Sequence, residues 1–403
     1  MKKLLIMALV AASTTTAFAQ GDALKSILKS KDYNEASSLL QSNLSSLNDE
    51  QKAKAYNKLV ELSMVKVNAE MQNISGNQYK LQLGQKPDPV DSAGLYSSLT
   101  KALTDAMECD KYDNLPNAKG KVAPKYHKSN AEKLWPLRVN LINAGQEATQ
   151  KEDSKAALAN YGLYVESGVS TLFSDIDKTQ QPDTYLGEVA RVAAVYAFQE
   201  KDLELSNKYC DVSLTDTASY NDALSLKMYL IQQTLKTHED SVNCVKNFEE
   251  LYAKDKGNEM IFTNLANLYG GLGQKEKQAQ FIEQRISEYP KTFNAWALRG
   301  QNKMNDSKWD EAIADYKKAL EIDPDKSIIL TFLGFTMNSK AAEINDVAQQ
   351  KEIYTESMKY LEHAKEVDPS RQEANWTYPL YQCYYSLYGA EDSRTQEIEA
   401  YIR

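Results

Sequence analysis

This 403-residue chain contains little of what enzymes and metal-stabilised domains depend on. It has three histidines, His127, His238 and His363, and none lies within metal-ligand spacing of another histidine or a cysteine. The G-x-S-x-G and H-E-x-x-H motifs, the phosphate-binding glycine loop and the dinucleotide fingerprint are absent. The sequence therefore predicts no catalytic residues, no metal and no cofactor, and it favours a protein that is not an enzyme.

Proline and glycine are also scarce, at 10 and 16 residues, and runs of alternating β-branched and polar residues are nearly missing. Ala, Leu, Lys, Glu and Gln, which are strong helix formers, are abundant. The composition predicts an all-α fold.

Acidic residues outnumber basic residues, which gives a net charge of -9. Nucleic-acid binding requires a basic face, so we expect no nucleic-acid partner. No segment is apolar over the roughly 20 residues that a membrane-spanning helix needs, so the protein is not expected to span a membrane.

The N-terminus has the three parts of a secretory signal peptide. Lys2 and Lys3 precede the apolar stretch Leu4–Ala12, and small residues follow up to Ala17-Phe18-Ala19, which fits the A-x-A cleavage pattern. We predict a signal peptide over residues 1–19 with cleavage after Ala19, and an exported, most simply periplasmic, protein. No cysteine follows the apolar stretch, so a lipid anchor is not expected; an uncleaved membrane anchor is the alternative.

A unit of thirty-four residues, Phe293 to Lys326, carries special residues at fixed positions, which we number as slots 1 to 34. Asp306 and Ser307, between its two helices, offer oxygens for N-capping, and Pro324 ends the second helix. Small and aromatic residues stand where two antiparallel helices must approach closely: Trp296 (slot 4), Gly300 (slot 8), Ala312 (slot 20), Tyr316 (slot 24) and Ala319 (slot 27). This unit resembles a tetratricopeptide repeat.

Neighbouring segments repeat the pattern with drift. Units begin at Glu259 and Ser327. In the unit at Ser327, the spacing from Gly334 to Pro369 is about eleven residues longer than the spacing from Gly300 to Pro324, which predicts an insertion between its two helices. Further units fit less closely, with these residues in slots 8, 20 and 24: Gly145, Ala157 and Tyr161; Ala194, Ser206 and Cys210. We predict an N-terminal helical region over residues 20–128 and a repeat region over residues 129–403. The resemblance implies an α-solenoid, a right-handed superhelix of stacked helix pairs.

In tetratricopeptide repeats, slots 2, 5, 9, 12 and 13 of the first helix face a concave groove. None of the fifteen residues that occupy these slots in the units at Glu259, Phe293 and Ser327 is charged, so a carboxylate clamp is not expected. Asn267 and Gln301 share slot 9 and can donate to and accept from an extended peptide backbone. Apolar contacts are predicted for four further residues: Met260, Met304, Ile328 and Phe335. The alternative is an unused groove, or one filled by the C-terminal helices.

Two further segments have alternative interpretations. Tyr378, Tyr381, Tyr385 and Tyr388 recur along one helix face and form either a packed aromatic cap or an aromatic ligand platform. A basic loop within Asn114–Lys128 either is simply solvated or docks an acidic partner or an anionic surface polymer. Its lysines are Lys119, Lys121, Lys125 and Lys128.

The four cysteines, Cys109, Cys210, Cys244 and Cys383, permit disulfides in an exported protein. Cys210 and Cys244 lie one repeat period apart, on helices whose axes we expect to be about 8–10 Å apart. A disulfide needs Cα atoms within about 7 Å, so we favour buried thiols.

The basic loop together with the C-terminal aromatic segment is similar to a group of exported tetratricopeptide proteins of Gram-negative bacteria without an assigned activity. The resemblance implies a periplasmic scaffold or adaptor that binds an extended peptide or a partner protein in the groove. The alternative is a component of an uptake system that captures a glycan or another small ligand.

Overall fold

The computed structural model describes residues 22–117, 119–233 and 237–402, and every regular element in these ranges is a helix. The predicted signal peptide and its cleavage site lie outside the described residues. The chain divides into two compact units between Leu230 and Ile231. Within each unit, consecutive helices pack as pairs in chain order, so the predicted all-α solenoid class is confirmed.

The helices of the first unit are α1 (residues 22–29), α2 (Tyr33–Asn43), α3 (Asp49–Gln82), α4 (Ser92–Asp113), α5 (His127–Leu134), α6 (Val139–Gln150), α7 (Ser154–Gly168), α8 (Leu186–Gln199), α9 (Leu203–Ser213) and the greater part of α10 (Tyr220–Gln233). Short 3₁₀ turns occur at Leu44–Ser46, Trp135–Leu137 and Thr171–Phe173.

One hydrophobic core runs through most of this unit and includes residues on both sides of the boundary that we predicted after Lys128. Buried residues of α3 and α4, such as Val67 and Leu103, belong to the same cluster as Tyr161 of α7 and Ala193 of α8. The boundary that we placed after Lys128 instead falls inside α5. The structure puts α3 to α9 into one compact unit because they share this core.

The helices of the second unit are α11 (His238–Lys254), α12 (Glu259–Gly271), α13 (Lys275–Glu288), α14 (Phe293–Asn305), α15 (Trp309–Ile322), α16 (Ser327–Ala342), α17 (Val347–Val367), α18 (Thr377–Tyr388) and α19 (Ser393–Glu399). The units predicted to begin at Glu259, Phe293 and Ser327 start with α12, α14 and α16, each at slot 1.

The predicted insertion between α16 and α17 lengthens the helices instead of forming a loop. Helix α16 has 16 residues against 13 in α14, and α17 has 21 against 14 in α15. The connection, residues 343–346, is only one residue longer than the connection between α14 and α15. Almost the whole insertion therefore extends this helix pair beyond its neighbours.

Close helix contact occurs at slot 8, as the sequence predicts. A Cβ atom added to Gly300 would lie 2.9 Å from the ring of Tyr316, and one added to Gly145 would lie 2.4 Å from the ring of Tyr161. Carbon atoms that are not bonded pack at about 3.5–4.0 Å, so a larger side chain would force the two helices apart. The glycine in slot 8 and the tyrosine in slot 24 are thus one packing unit.

The turn between paired helices has the same backbone conformation in four pairs. The middle residue of each three-residue connection has a positive φ: Glu152 (57°), Lys201 (66°), Gly273 (72°) and Ser307 (57°). The next residue donates its backbone N–H five residues back, as Lys308 does to Lys303 O at 2.8 Å. These are Schellman turns, in which a left-handed residue ends the helix.

This turn corrects our expectation that Asp306 and Ser307 cap α15. The N-cap residue is Lys308, and no side chain caps the helix. Ser307 instead supplies the left-handed backbone conformation. Side-chain capping does occur in the first unit, where Asp153 accepts the backbone N–H of Ala156 at 3.0 Å.

Candidate interaction surface

The two slot-9 amides predicted for the groove line the same cleft. Asn267 of α12 and Gln301 of α14 border a cavity of about 370 Å³, together with Gly270, Gly271 and Asn305, which occupy slots 12 and 13. Helix α13 contributes Lys275, Gln278 and Ala279 to the lining. The structure therefore brings the predicted groove positions of two consecutive repeats together in one polar cleft.

The amides of this cleft fall into two groups. Gln278 donates to Ala266 O at 2.9 Å and accepts from Asn302 Nδ2 at 3.2 Å, so both side chains hold the helices together. Asn267 is exposed and Gln301 is half-buried, and neither makes a side-chain hydrogen bond within the described parts of the chain. These two amides therefore keep their donors and acceptors available to a ligand.

The four apolar residues predicted for the groove do not share one environment. Met260 and Phe335 are exposed by 37% and 41%. Met304 and Ile328 instead pack against the hydrophobic core of α15 and α16, and Met304 Sδ lies 3.7 Å from the Tyr316 hydroxyl. Of this set, Met260 and Phe335 are the most exposed, whereas Met304 and Ile328 are half-buried.

Helix α18 continues the slot pattern of α12, α14 and α16. Counted from Thr377 as slot 1, its buried residues fall in slots 1, 3, 4, 7 and 8, which are also buried in α16: Thr377, Pro379, Leu380, Cys383 and Tyr384. Tyr378, Tyr381 and Tyr385 then occupy slots 2, 5 and 9, where the first helix of a repeat faces the groove.

Only one of the four tyrosines predicted to share a helix face, Tyr381, packs against the C-terminal hydrophobic core, and the other three are exposed. Tyr378 and Tyr385 are about half exposed, and the ring centroids of Tyr381 and Tyr385 are 5.8 Å apart. Capping of the core comes from other residues of the segment, Trp376 and Tyr384, which are buried. Tyr388 turns toward Arg394, whose guanidinium lies 3.6 Å from its ring centroid. The exposed face of α18 fits the aromatic platform interpretation.

The basic loop is tied down at its C-terminal end. The carboxylate of Asp113 accepts the backbone N–H groups of Lys125, Tyr126 and His127 at 3.0, 2.6 and 3.0 Å. Lys125 pairs with Glu50, and Lys128 lies 3.9 Å from Glu132. Lys119 and Lys121 are exposed at the tip. An acidic partner would meet these two lysines first.

A cluster around His127, on α5, was not predicted from sequence. Its ring lies between Asp110 of α4 and Asp175, which follows the 3₁₀ turn Thr171–Phe173. The three residues are separated by 17 and 48 positions in the chain, and no motif joins them. Only the packing of α4, α5 and this turn brings them together.

The described ranges also show the state of the cysteine thiols, the grouping of metal-binding side chains and the apolarity of the helices. All four cysteines are buried free thiols, and burial raises the pKa of Cys210 to about 12 and of Cys383 to about 11. Such thiols carry little thiolate at neutral pH. Among the residues described, no group of His, Cys, Asp and Glu has the arrangement of a metal site. None of the described helices is both long enough and apolar enough to span a bilayer.

Three solved structures with low similarity illustrate the comparison with known folds. MamA (41-end) from Desulfovibrio magneticus RS-1 is 14% identical, with 46% of this chain and 97% of that chain covered and a TM-score of 0.31. YrrB, a TPR protein, is 16% identical, with 49% and 93% covered and a TM-score of 0.30. A tetratricopeptide repeat protein from Parabacteroides merdae ATCC 43184 is 14% identical, with 67% and 100% covered and a TM-score of 0.28. We draw no function from similarity at this level.

The family comparison bears on one repeat directly. A search of curated proteins finds no match. The family model of the tetratricopeptide repeat matches residues 293–326, the unit that α14 and α15 form. Residues 293–326 are therefore similar to a tetratricopeptide repeat in sequence, and they form the helix pair that such a repeat has.

Proposed function

We propose that this protein is a non-enzymatic scaffold that binds an extended peptide or a segment of a partner protein on the groove face of its second unit. The observation that carries the proposal is the cleft between α12 and α14, where Asn267 and Gln301 present available amides side by side. An amide that can both donate and accept pairs with the backbone of an extended chain, whatever that chain's side chains are.

The chemistry of the surrounding face supports the same function. Met260 and Phe335 are exposed on α12 and α16 at groove slots, and α18 adds Tyr378 and Tyr385. Exposed aromatic and methionine side chains supply adaptable apolar contact at protein interfaces. A peptide held by backbone hydrogen bonds at the cleft would find apolar contacts on other helices of the same unit.

Replacing Asn267 and Gln301 together by alanine should weaken peptide binding about tenfold. Two net hydrogen bonds contribute roughly 1–3 kcal/mol, and 1.4 kcal/mol corresponds to a factor of ten. The probe is a peptide selected from a random twelve-residue phage-display library against the full chain, and its affinity for each variant is measured by calorimetry.

The matched control is Gln280→Ala, which removes an exposed glutamine amide from α13, outside the residues that line the cleft. Its affinity should stay within twofold of the parent. Unchanged affinity in the double variant would place peptide binding elsewhere. A library that yields no binder, together with a positive glycan array, would favour ligand capture over a scaffold.

The proposed site of action is the periplasm, from the signal peptide predicted over residues 1–19. Protein isolated from its native host should begin at Gln20, because the A-x-A pattern ends at Ala19. N-terminal sequencing checks this outcome. A chain that begins at Met1 would contradict both the cleavage and the export.

A further inference from the structure

His127 lies where three segments of the first unit meet, and each of its ring nitrogens faces a carboxylate. Nδ1 is 2.5 Å from Asp110 Oδ1, and Nε2 is 3.2 Å from Asp175 Oδ2. A neutral imidazole donates from only one nitrogen, whereas an imidazolium donates from both. His127 can therefore bind both carboxylates at once only when its ring is protonated.

The two carboxylates are held with different strength. The side chain of Asp110 is 1% exposed and also accepts from Thr171 Oγ1 at 2.7 Å and from Asn114 Nδ2 at 2.8 Å. The side chain of Asp175 is 73% exposed. When the ring loses its proton, the Nδ1–H bond to Asp110 persists, and the lone pair on Nε2 faces the Asp175 oxygen. The Asp175 carboxylate, which already lies largely in water, then loses its hydrogen-bond donor on the ring.

A cavity of about 490 Å³ lies beside this contact. It is lined by Asp110, His127 and Asp175, by Thr171 and Ser174 next to Asp175, and by Leu115 and Pro124 of the basic loop. The contact between His127 and Asp175 thus joins two walls of one cavity. One wall is formed by α4, α5 and the basic loop, and the other by the residues that follow the 3₁₀ turn Thr171–Phe173.

We propose that His127 is a pH-operated latch that, when protonated, holds residues 174–177 against α4 and α5 and narrows this cavity, and that releases them when it is neutral. The latch is independent of peptide binding in the second unit. Its movement is confined to this short segment because Lys178 donates to Gly168 O at 3.2 Å and Asp183 pairs with Arg138 at 2.7 Å.

The charges around the ring set the direction of the switch. Burial opposes the imidazolium, but the hydrogen bond to Asp110 and the charges of Asp110 and Asp175 outweigh it and raise the pKa of His127. Helix α4 also presents Asp113, which accepts the His127 backbone N–H at 3.0 Å, and Lys111, which lines the cavity. Lys128 follows His127 in α5 and lies near Glu132.

The sign follows from this raised pKa. The free energy that protonated His127 contributes to the folded state is fully present below the pKa of an unfolded histidine, about 6.5. This contribution is lost as the pH rises through the higher pKa of His127 in the folded protein. Global stability is a poor readout of the latch, since burial raises the pKa of Asp105 to about 7 and that group titrates in the same range. The test must therefore report on His127 itself.

The test is an NMR titration of the full chain with ¹³Cε1-labelled histidine, in which three signals are assigned with His238→Gln and His363→Gln variants. His127 should titrate above 6.5, and the backbone amide signals of residues 174–177 should shift with the same midpoint. Asp175→Asn should lower the pKa of His127 by about one unit, the lower end of the effect of a nearby opposite charge. The asparagine amide can also donate to neutral Nε2, so the segment should stay closed at high pH.

Asp177→Asn is the matched control, because Asp177 is exposed in the same segment and bonds to Thr179 instead of His127. It should leave the pKa of His127 unchanged. A His127 signal that titrates at or below 6.5 would overturn the proposal. An Asp175→Asn variant with the parent pKa, or amide signals that ignore the titration, would do the same.

Discussion

Replacing Arg138 by methionine should lower the free energy of opening of α7, measured by native-state hydrogen exchange, by about 3–5 kcal/mol. The guanidinium is 2% exposed and donates to Ser167 Oγ at 2.9 Å, to Asp183 Oδ2 at 2.7 Å and to Tyr164 O at 2.6 Å. The guanidinium also stacks on two aromatic rings, with its Cζ atom 4.6 Å from the ring centroid of Trp135 and 4.4 Å from that of Tyr164.

The reason for so large an effect is the charge that would remain behind. The side chain of Asp183 is only 7% exposed, and without Arg138 its remaining side-chain partner is the Tyr164 hydroxyl. An unpaired buried carboxylate costs far more than a surface ion pair contributes. Methionine retains most of the stacked volume, so the measured loss reports on the charge and its hydrogen bonds.

Two variants make this result specific. Arg191→Met breaks a pair with Glu188 on the surface of α8 and should cost less than about 1 kcal/mol. Adding Asp183→Asn to Arg138→Met should recover part of the loss, because the orphaned charge disappears. A loss below 1 kcal/mol for Arg138→Met alone would show that Asp183 reaches solvent easily.

Replacing Trp376 by alanine should destabilise the C-terminal helices by about 3–5 kcal/mol, the cost of removing a buried tryptophan. Trp376 is 1% exposed and packs with Leu330 of α16, Leu361 of α17 and Leu380 of α18. Its indole N–H donates to Asp368 O at 2.7 Å, so alanine would also remove one of the two hydrogen bonds that this carbonyl accepts, the other coming from the backbone N–H of Arg371. Hydrogen exchange of α18 and α19 measures the effect.

The neighbouring tyrosine provides the matched control. Tyr378 lies two residues after Trp376, in α18, and is 53% exposed, so Tyr378→Ala should cost less than about 1 kcal/mol. Equal losses in the two variants would mean that the outer face of α18 is packed after all. A small loss for Tyr378→Ala would separate the capping role of Trp376 from the exposed aromatic face.

The sequence was sufficient where the structure depends on local spacing. Gly300 and Tyr316 lie sixteen residues apart within one helix pair, and their contact follows from the repeat pattern. The same pattern placed the first residue of α12, α14 and α16 correctly. Asn267 and Gln301 were also predicted to face one groove, and they line one cleft.

The sequence was insufficient where residues from distant helices meet. The groove slots predicted an apolar ligand contact for Met304, and the repeat pattern did not reveal that this half-buried side chain also packs against Tyr316 of α15. Arg138 with Asp183, and His127 with Asp110, lie 45 and 17 residues apart outside any repeat spacing. Side chains that join irregular connections to helices carry no periodic signal, so only the three-dimensional packing reveals them.

The left-handed turn residue has a consequence for how such repeats diverge. In four helix pairs this position is occupied by Glu152, Lys201, Gly273 and Ser307, which share a backbone angle and no side-chain chemistry. The turn geometry can therefore be kept while the amino acid at this position changes. A residue other than glycine adopts the left-handed conformation at a cost of about 1–2 kcal/mol. The helix pairs that the family model does not match therefore share the turn geometry of the matched unit, residues 293–326, without sharing its side chains at this position.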